Sequence, residues 1–215
     1  MQNYISLMRL DKPIGFMLLF WPCSWGFAYS IQDNSLDNKW IYFLILFFIG
    51  SILMRSAGCV YNDIVDKKLD AKVKRTKNRP LVKKTISIQK AWLLILTLCL
   101  TSLIILFQFN LNSVFLGLFS GLLILLYPFM KRITYWPQLF LGVTFNYGLI
   151  LGWTAINNQI DLVALMFYFG AIFWTLGYDT IYGYQDIKDD EIIGLKSTSI
   201  KFKGKENIFL FIYEF

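Results

Sequence analysis

Two short acidic stretches carry most of the chemistry this sequence offers. The first reads Asn62-Asp63-Ile64-Val65-Asp66-Lys67-Lys68-Leu69-Asp70, and the second reads Asp186-Ile187-Lys188-Asp189-Asp190, followed by Glu191. Together they hold seven of the fourteen acids. On a helix, Asn62, Asp66 and Asp70 recur every four residues and share one face. Like charges at that spacing repel, and a bound divalent cation removes the repulsion. Donors that are all oxygen suit Mg2+ rather than zinc or copper. Asp186 and Asp190 repeat the same spacing, whereas Asp63 and Asp189 project elsewhere on their helices. Mg2+ takes one or two carboxylates and completes its shell with water and substrate phosphates. Two such clusters facing each other would hold two or more Mg2+, and a diphosphate is the natural ligand between them. Lys72, Lys74, Arg75, Lys77 and Arg79 follow the first cluster and Lys196 follows the second, which fits an anionic ligand. Either stretch alone reads equally well as a solvated loop. The pairing of the two is what favours a site.

Other chemistries are excluded by composition. The chain has no histidine, which removes histidine-ligated haem or zinc and any Ser-His or Cys-His nucleophile. Cys23, Cys59 and Cys99 are isolated and form no CxxC pair, so no disulfide framework is expected.

The elements that must position these acids are apolar. Of the 215 residues, 56% are hydrophobic and only 16% charged, against about a quarter charged in soluble domains. Uncharged runs extend over residues 13–31, 40–54, 91–130, 135–160 and 162–178, the third broken by the polar stretch 108–112. A helix needs about 20 residues to cross about 30 Å of hydrocarbon. Six spans are therefore predicted, at about 13–31, 40–60, 91–107, 112–129, 137–156 and 162–182, with the start of a seventh at Ile208. Helices are the expected form, because backbone groups in lipid must bond within their own segment. The first span is too long to read as a signal peptide and lacks a small-residue cleavage site.

Charge orients the spans. The loop over 61–90 carries ten basic residues and the loop over 183–207 carries five lysines, whereas 108–112 has none and 157–161 has only Asp161. Positive loops stay on the cytoplasmic side. The N-terminus and both acidic clusters are thus expected on one, inner, face of the membrane.

These residues resemble a known family. The first cluster, continuing through Lys74-Arg75-Thr76-Lys77-Asn78-Arg79-Pro80-Leu81, is similar to the NDxxDxxxD signature of the UbiA prenyltransferases. Met54 to Cys59, Arg9 to Gly15 and Tyr127-Pro128-Phe129-Met130-Lys131-Arg132 resemble its 4-hydroxybenzoate branch. So do Tyr178-Asp179-Thr180 and the run from Asp186 to Thr198, and all the motifs fall in the family's order. The resemblance implies an all-α, polytopic transmembrane bundle that transfers a polyprenyl group from its diphosphate to an aromatic ring within the bilayer. For this branch the acceptor is 4-hydroxybenzoate and the product feeds ubiquinone biosynthesis. Asn62, Asp66, Asp70, Asp186 and Asp190 would hold Mg2+ and diphosphate. Asp66, Asp70, Asp186, Asp190 and Asp179 are the expected catalytic residues, with Asp179 polarising the phenol or pairing with an arginine. Arg79, Lys131 and Arg132 are expected to meet phosphate, Arg55 the benzoate carboxylate or the diphosphate, and Tyr127 the acceptor.

Residues 1–215 are expected to form a single transmembrane prenyltransferase domain. Family members have nine transmembrane helices, so the resemblance implies about three C-terminal helices beyond those counted here. The expected location is the bacterial cytoplasmic membrane or the mitochondrial inner membrane, with a lipid bilayer and no nucleic acid as partner. Alternatives are another acceptor (dihydroxynaphthoate, haem or a chlorin), an inactive remnant, or a membrane transporter. Transport sites usually lie at mid-membrane, and these acids do not.

Overall fold

A computed structural model describes residues 1–31, 39–207 and 209. Among them every regular element is helical. In chain order these are α1 (Gln2–Met8), α2 (Ile14–Ser30), α3 (Trp40–Asp70), α4 (Ile88–Leu106), α5 (Leu111–Ile133), α6 (Pro137–Asn157), α7 (Leu162–Gly183), α8 (Ile187–Ile193) and α9 (Thr198–Lys201). A single 3-10 turn, Tyr184–Asp186, joins α7 to α8. The expected seventh span at Ile208, and Asp33 and Asp37 of the first loop, lie outside the described residues.

Five helices among the described residues are long and apolar enough to cross a membrane: α3, α4, α5, α6 and the run Leu162–Ile193 that contains α7. The sequence pattern predicts six. The remaining one, α2, is a 17-residue helix, about 26 Å long, at the short limit for a span. Pro13 sits at its N-cap and Pro22 lies within it. The chain is an integral membrane protein of the all-helical, polytopic class.

Polar groups satisfy the helix ends. Asn110 serves two helices at once. Its Oδ1 accepts from the Ser113 N–H at the start of α5, at 2.9 Å. Its Nδ2 donates to the Thr154 and Ala155 carbonyls at the end of α6, at 2.7 and 3.1 Å. Ser87 caps α4 and Asp161 caps α7 through their side chains. These bonds use donors and acceptors that would otherwise be orphaned.

Helix α6 forms the centre, packed against α2, α5 and α7. Small residues let the backbones approach, as apolar helices in lipid require. A methyl placed on Gly26 of α2 would overlap the Leu149 carbonyl of α6, and one on Gly152 of α6 would overlap the Cys23 carbonyl of α2. Between α6 and α7, the buried Asn146 amide donates to Ala171 O at 3.1 Å and to Thr175 Oγ1 at 2.7 Å. The outer surfaces of α4, α5 and α7 carry exposed Leu93, Ile104, Phe119, Leu122, Phe169 and Phe173, as lipid-facing surfaces do.

Two elements are longer than the bilayer core. Helix α3 has 31 residues, about 46 Å against about 30 Å of hydrocarbon. The run 162–193 is similarly overlong. The excess in each carries an acidic cluster.

Candidate functional site

The first cluster occupies the last turns of α3, so Asn62, Asp66 and Asp70 share one face. They line a polar recess with Arg75 and Arg79 of the following loop, Lys131 of α5, and Asp189 and Asp190 of α8. Asp66 is 1% exposed. The Lys131 ammonium closes on one of its carboxylate oxygens, and the Arg132 guanidinium donates to the other at 2.9 Å. Arg79 bridges Asp70 at 2.5 Å and Asp63 at 3.0 Å. Such charge-assisted bonds are what permit buried carboxylates.

Asp63 does not line this recess but shares Arg79 with it, and also accepts from Arg9 at 2.9 Å. Arg9 ends α1 in the left-handed conformation, φ 54°, a costly geometry for a residue with a Cβ. The turn aims its guanidinium at α3. Burial alone favours the neutral guanidine of Arg9. Cys59, Asp63 and Asp70 outweigh that and raise its pKa, so it stays charged.

The 3-10 turn divides the second cluster. Asp186 stands at the junction and takes a bond from Arg75 at 3.0 Å. Asp189 and Asp190 face the recess and Asp186 does not line it. The sequence spacing assumes one continuous α-helix, and the tighter 3-10 geometry changes which side chains face inward.

A second, larger space adjoins. A cavity of about 500 Å³ runs between α2, α3, α4, α5 and α6. Its lining is mostly apolar, with Arg9, Arg55, Asn62 and Tyr127 at one end and Phe47 and Phe109 at the other. Those two rings stack with centroids 4.9 Å apart. Asn62 lines both spaces. Arg55 lies over the Phe145 ring at 5.2 Å, and its buried Nε has no hydrogen-bond partner among the described residues. Asp179 is on α7 within electrostatic reach of Arg55, and Tyr127 is within reach of both.

Residues 19–213 match the family described as the UbiA prenyltransferase family. The chain belongs to that family. Relatives named "4-hydroxybenzoate polyprenyltransferase, mitochondrial" include the human protein, 49% identical over 206 residues, 94% of this chain and 54% of its own length. The rat protein is 47% identical over 204 residues, with the same shares. The chain thus spans about half the length of the curated relatives it matches. Its fold is similar to the apo structure of a UbiA homologue from Aeropyrum pernix K1. There the TM-score is 0.73 at 27% identity, covering 88% of this chain and 70% of that one. A UbiA homologue from Archaeoglobus fulgidus bound to GPP and Mg2+ matches with a TM-score of 0.74 at 19% identity, covering 95% and 70%.

Against the sequence reading, the fold brings Asn62, Asp66, Asp70, Asp190, Arg79 and Lys131 to one recess. Arg132 joins them through Asp66 and also donates to the Val65 carbonyl at 3.1 Å. Arg55 and Tyr127 line the cavity instead. Asp179 and Asp186 line neither space. Sequence reasoning gave Arg9 no definite role and set Asp63 and Asp189 aside. A carboxylate off the shared face of α3 still requires a counter-charge, and Arg9 is a cation just before the first apolar run. That pairing was the available signal.

Proposed function

We propose that this chain carries the site for Mg2+-dependent transfer of a polyprenyl group from its diphosphate to the ring of 4-hydroxybenzoate, a step of ubiquinone biosynthesis. The observation that carries this reading is Asn62, which lines both the charged recess and the apolar cavity. A diphosphate head in the first and a prenyl tail in the second would meet there.

The recess fits a hard divalent cation by its donors. They are oxygen atoms only, from Asn62, Asp66, Asp70, Asp189 and Asp190. Mg2+ completes its shell with water and phosphate oxygens. Asp66, Asp70 and Asp190, with Asn62, would hold it. Bound there, it would neutralise charge on the leaving diphosphate. Arg75, Arg79 and Lys131 supply further positive charge at the same place and need no rearrangement of solvent to do so.

Breaking the bond from the prenyl carbon to diphosphate oxygen sends the electron pair out with diphosphate and leaves an allylic cation. An apolar cavity keeps water from that cation. Tyr127, Phe145 and Tyr147 line the cavity, and aromatic rings favour a nearby cation. The ring carbon of the acceptor then forms the new carbon–carbon bond, and its proton is lost. The Arg55 Nε in the cavity wall has no hydrogen-bond partner among the described residues and is suited to the benzoate carboxylate. Asp179, close to Arg55 and Tyr127, would polarise the phenol. The relatives named for this reaction support the choice of acceptor.

The basic loops support an orientation with the N-terminus and both acidic clusters on the cytoplasmic or matrix side, in a bacterial cytoplasmic or mitochondrial inner membrane. Residues 1–215 would belong to one transmembrane domain.

The test is to express the chain in membranes without their own prenyltransferase and follow labelled 4-hydroxybenzoate into lipid extract. The expected result is incorporation that needs Mg2+ and a polyprenyl diphosphate and disappears in Asp66→Ala/Asp190→Ala. Equal incorporation with and without Mg2+, or none in folded, inserted protein, contradicts the reading.

A further inference from the structure

We propose that the segment Leu195–Ser199 is a strut that sets the separation of the two acidic clusters, with Gln138 and Thr198 as its positioning residues. The proposal rests on the reading of the recess as a diphosphate site.

The strut begins where α8 ends. Gly194 adopts φ 73°, a left-handed turn that glycine tolerates best. The Leu195 N–H then donates back to the Asp190 carbonyl at 2.9 Å. One residue on, the Lys196 N–H donates to the Lys131 carbonyl at 2.8 Å, and the Lys196 ammonium reaches the Ile133 carbonyl at 3.1 Å. These are carbonyls of the last turn of α5, otherwise without an intrahelical partner. Lys131 is the residue whose side chain holds Asp66. A short path, covalent from Asp190 to Lys196 and then through one hydrogen bond, therefore runs from one cluster to the backbone of the residue gripping the other.

The far end of the strut is fixed in the bundle. Thr198 and Ser199 are fully buried, as is Thr180 of α7. The Thr198 N–H donates to Gln138 Oε1 of α6 at 3.0 Å. The Thr198 and Thr180 hydroxyls pair at 2.6 Å, and Ser199 donates to the Thr180 carbonyl at 2.7 Å. A methyl on Gly183 would strike Ser199 Oγ, so a glycine there permits the contact. Buried hydroxyls and amides are costly unless every one is bonded, and a network so satisfied holds one geometry where an apolar contact would slide. Helix α8 has only seven residues and rests on the 3-10 turn and α9. Its orientation, and with it that of Asp190, follows the strut.

The test compares Thr198→Val, Gln138→Leu and Thr198→Ser with the parent chain, all purified in detergent. Binding of an unreactive prenyl thiodiphosphate with Mn2+ is measured by calorimetry. Nitroxides at Lys68 and Lys188, both exposed, report the distance between α3 and α8 in a background with the three cysteines replaced. Thr198→Val and Gln138→Leu are expected to lose about tenfold in affinity, the worth of one buried hydrogen bond, and to shift or broaden the distance. Thr198→Ser is expected to stay within about twofold and to keep the parent distance. Lower melting temperatures with affinity and distance unchanged would reduce these residues to a structural role and overturn the proposal. Failure of the parent chain to bind the analogue would refute the diphosphate reading itself, whereas binding with an unmoved distance would refute only the strut.

Discussion

Lys131 of α5 and Asp66 of α3 form an ion pair across 65 positions of sequence, with the carboxylate buried and the ammonium at the edge of the recess. The pair joins the two helices beside the Arg132 bonds to Asp66 and the Val65 carbonyl, and puts a cation where a diphosphate would lie. Lys131→Gln is expected to lower kcat roughly 10²-fold or more, as removal of one preorganised donor does. Folding should persist, because Arg132 still donates to Asp66 at 2.9 Å. Turnover measured beside a melting curve checks both halves of the statement.

Arg55 makes a different prediction. Its guanidinium is a two-pronged donor, so Arg55→Lys should fail to restore what Arg55→Leu loses. Both variants are expected to raise KM for 4-hydroxybenzoate roughly 10- to 100-fold, the worth of a charged hydrogen bond. KM for the prenyl diphosphate should hardly change. Steady-state kinetics with each substrate varied in turn separates the two.

Divalent-cation identity gives a third. If Asn62, Asp66, Asp70 and Asp190 share Mg2+ with phosphate and water, Asp190→Asn should raise the Mg2+ concentration for half-maximal rate. Ca2+ should support little turnover, since it favours more ligands and longer bonds. Titration of both ions into chelator-treated membranes is the measurement.

Packing gives a fourth. Gly152→Ala and Gly26→Ala drive a methyl into a backbone carbonyl and should destabilise the protein by about 1–3 kcal/mol or prevent folding. Gly170→Ala meets nothing within 4 Å among the described residues and should be neutral or stabilising by up to about 1 kcal/mol, since alanine favours helix over glycine. Thermal melts of the three variants in one detergent compare them.

Much of this was legible in the residues, and for a physical reason. Uncharged runs of span length fix helices in lipid, so α3 to α7 could be read directly, and the continuation of α3 through Asp70 followed from its four-residue spacing. The position of α2 was legible, but at 17 residues it falls at the edge of the length that spacing assumes. Local geometry was less accessible. No feature of residues 184–190 announces a 3-10 turn, nor that Asp186 would meet Arg75 at the edge of the recess. The Arg9–Asp63 pair and the bond from Lys196 to Lys131 join positions 54 and 65 residues apart, and such partners are set by tertiary packing.

The central claim is that one substrate spans the recess and the cavity across Asn62. Photolabelling with a prenyl diphosphate bearing a diazirine at its tail tests this most directly. The account predicts Mg2+-dependent labels on cavity residues of α3, α4 and the loop between α4 and α5, such as Phe47, Leu100 and Phe109, abolished by excess unlabelled prenyl diphosphate and by Asp66→Ala. Labels confined to the lipid-facing side of α7, independent of Mg2+ and of Asp66, would contradict it.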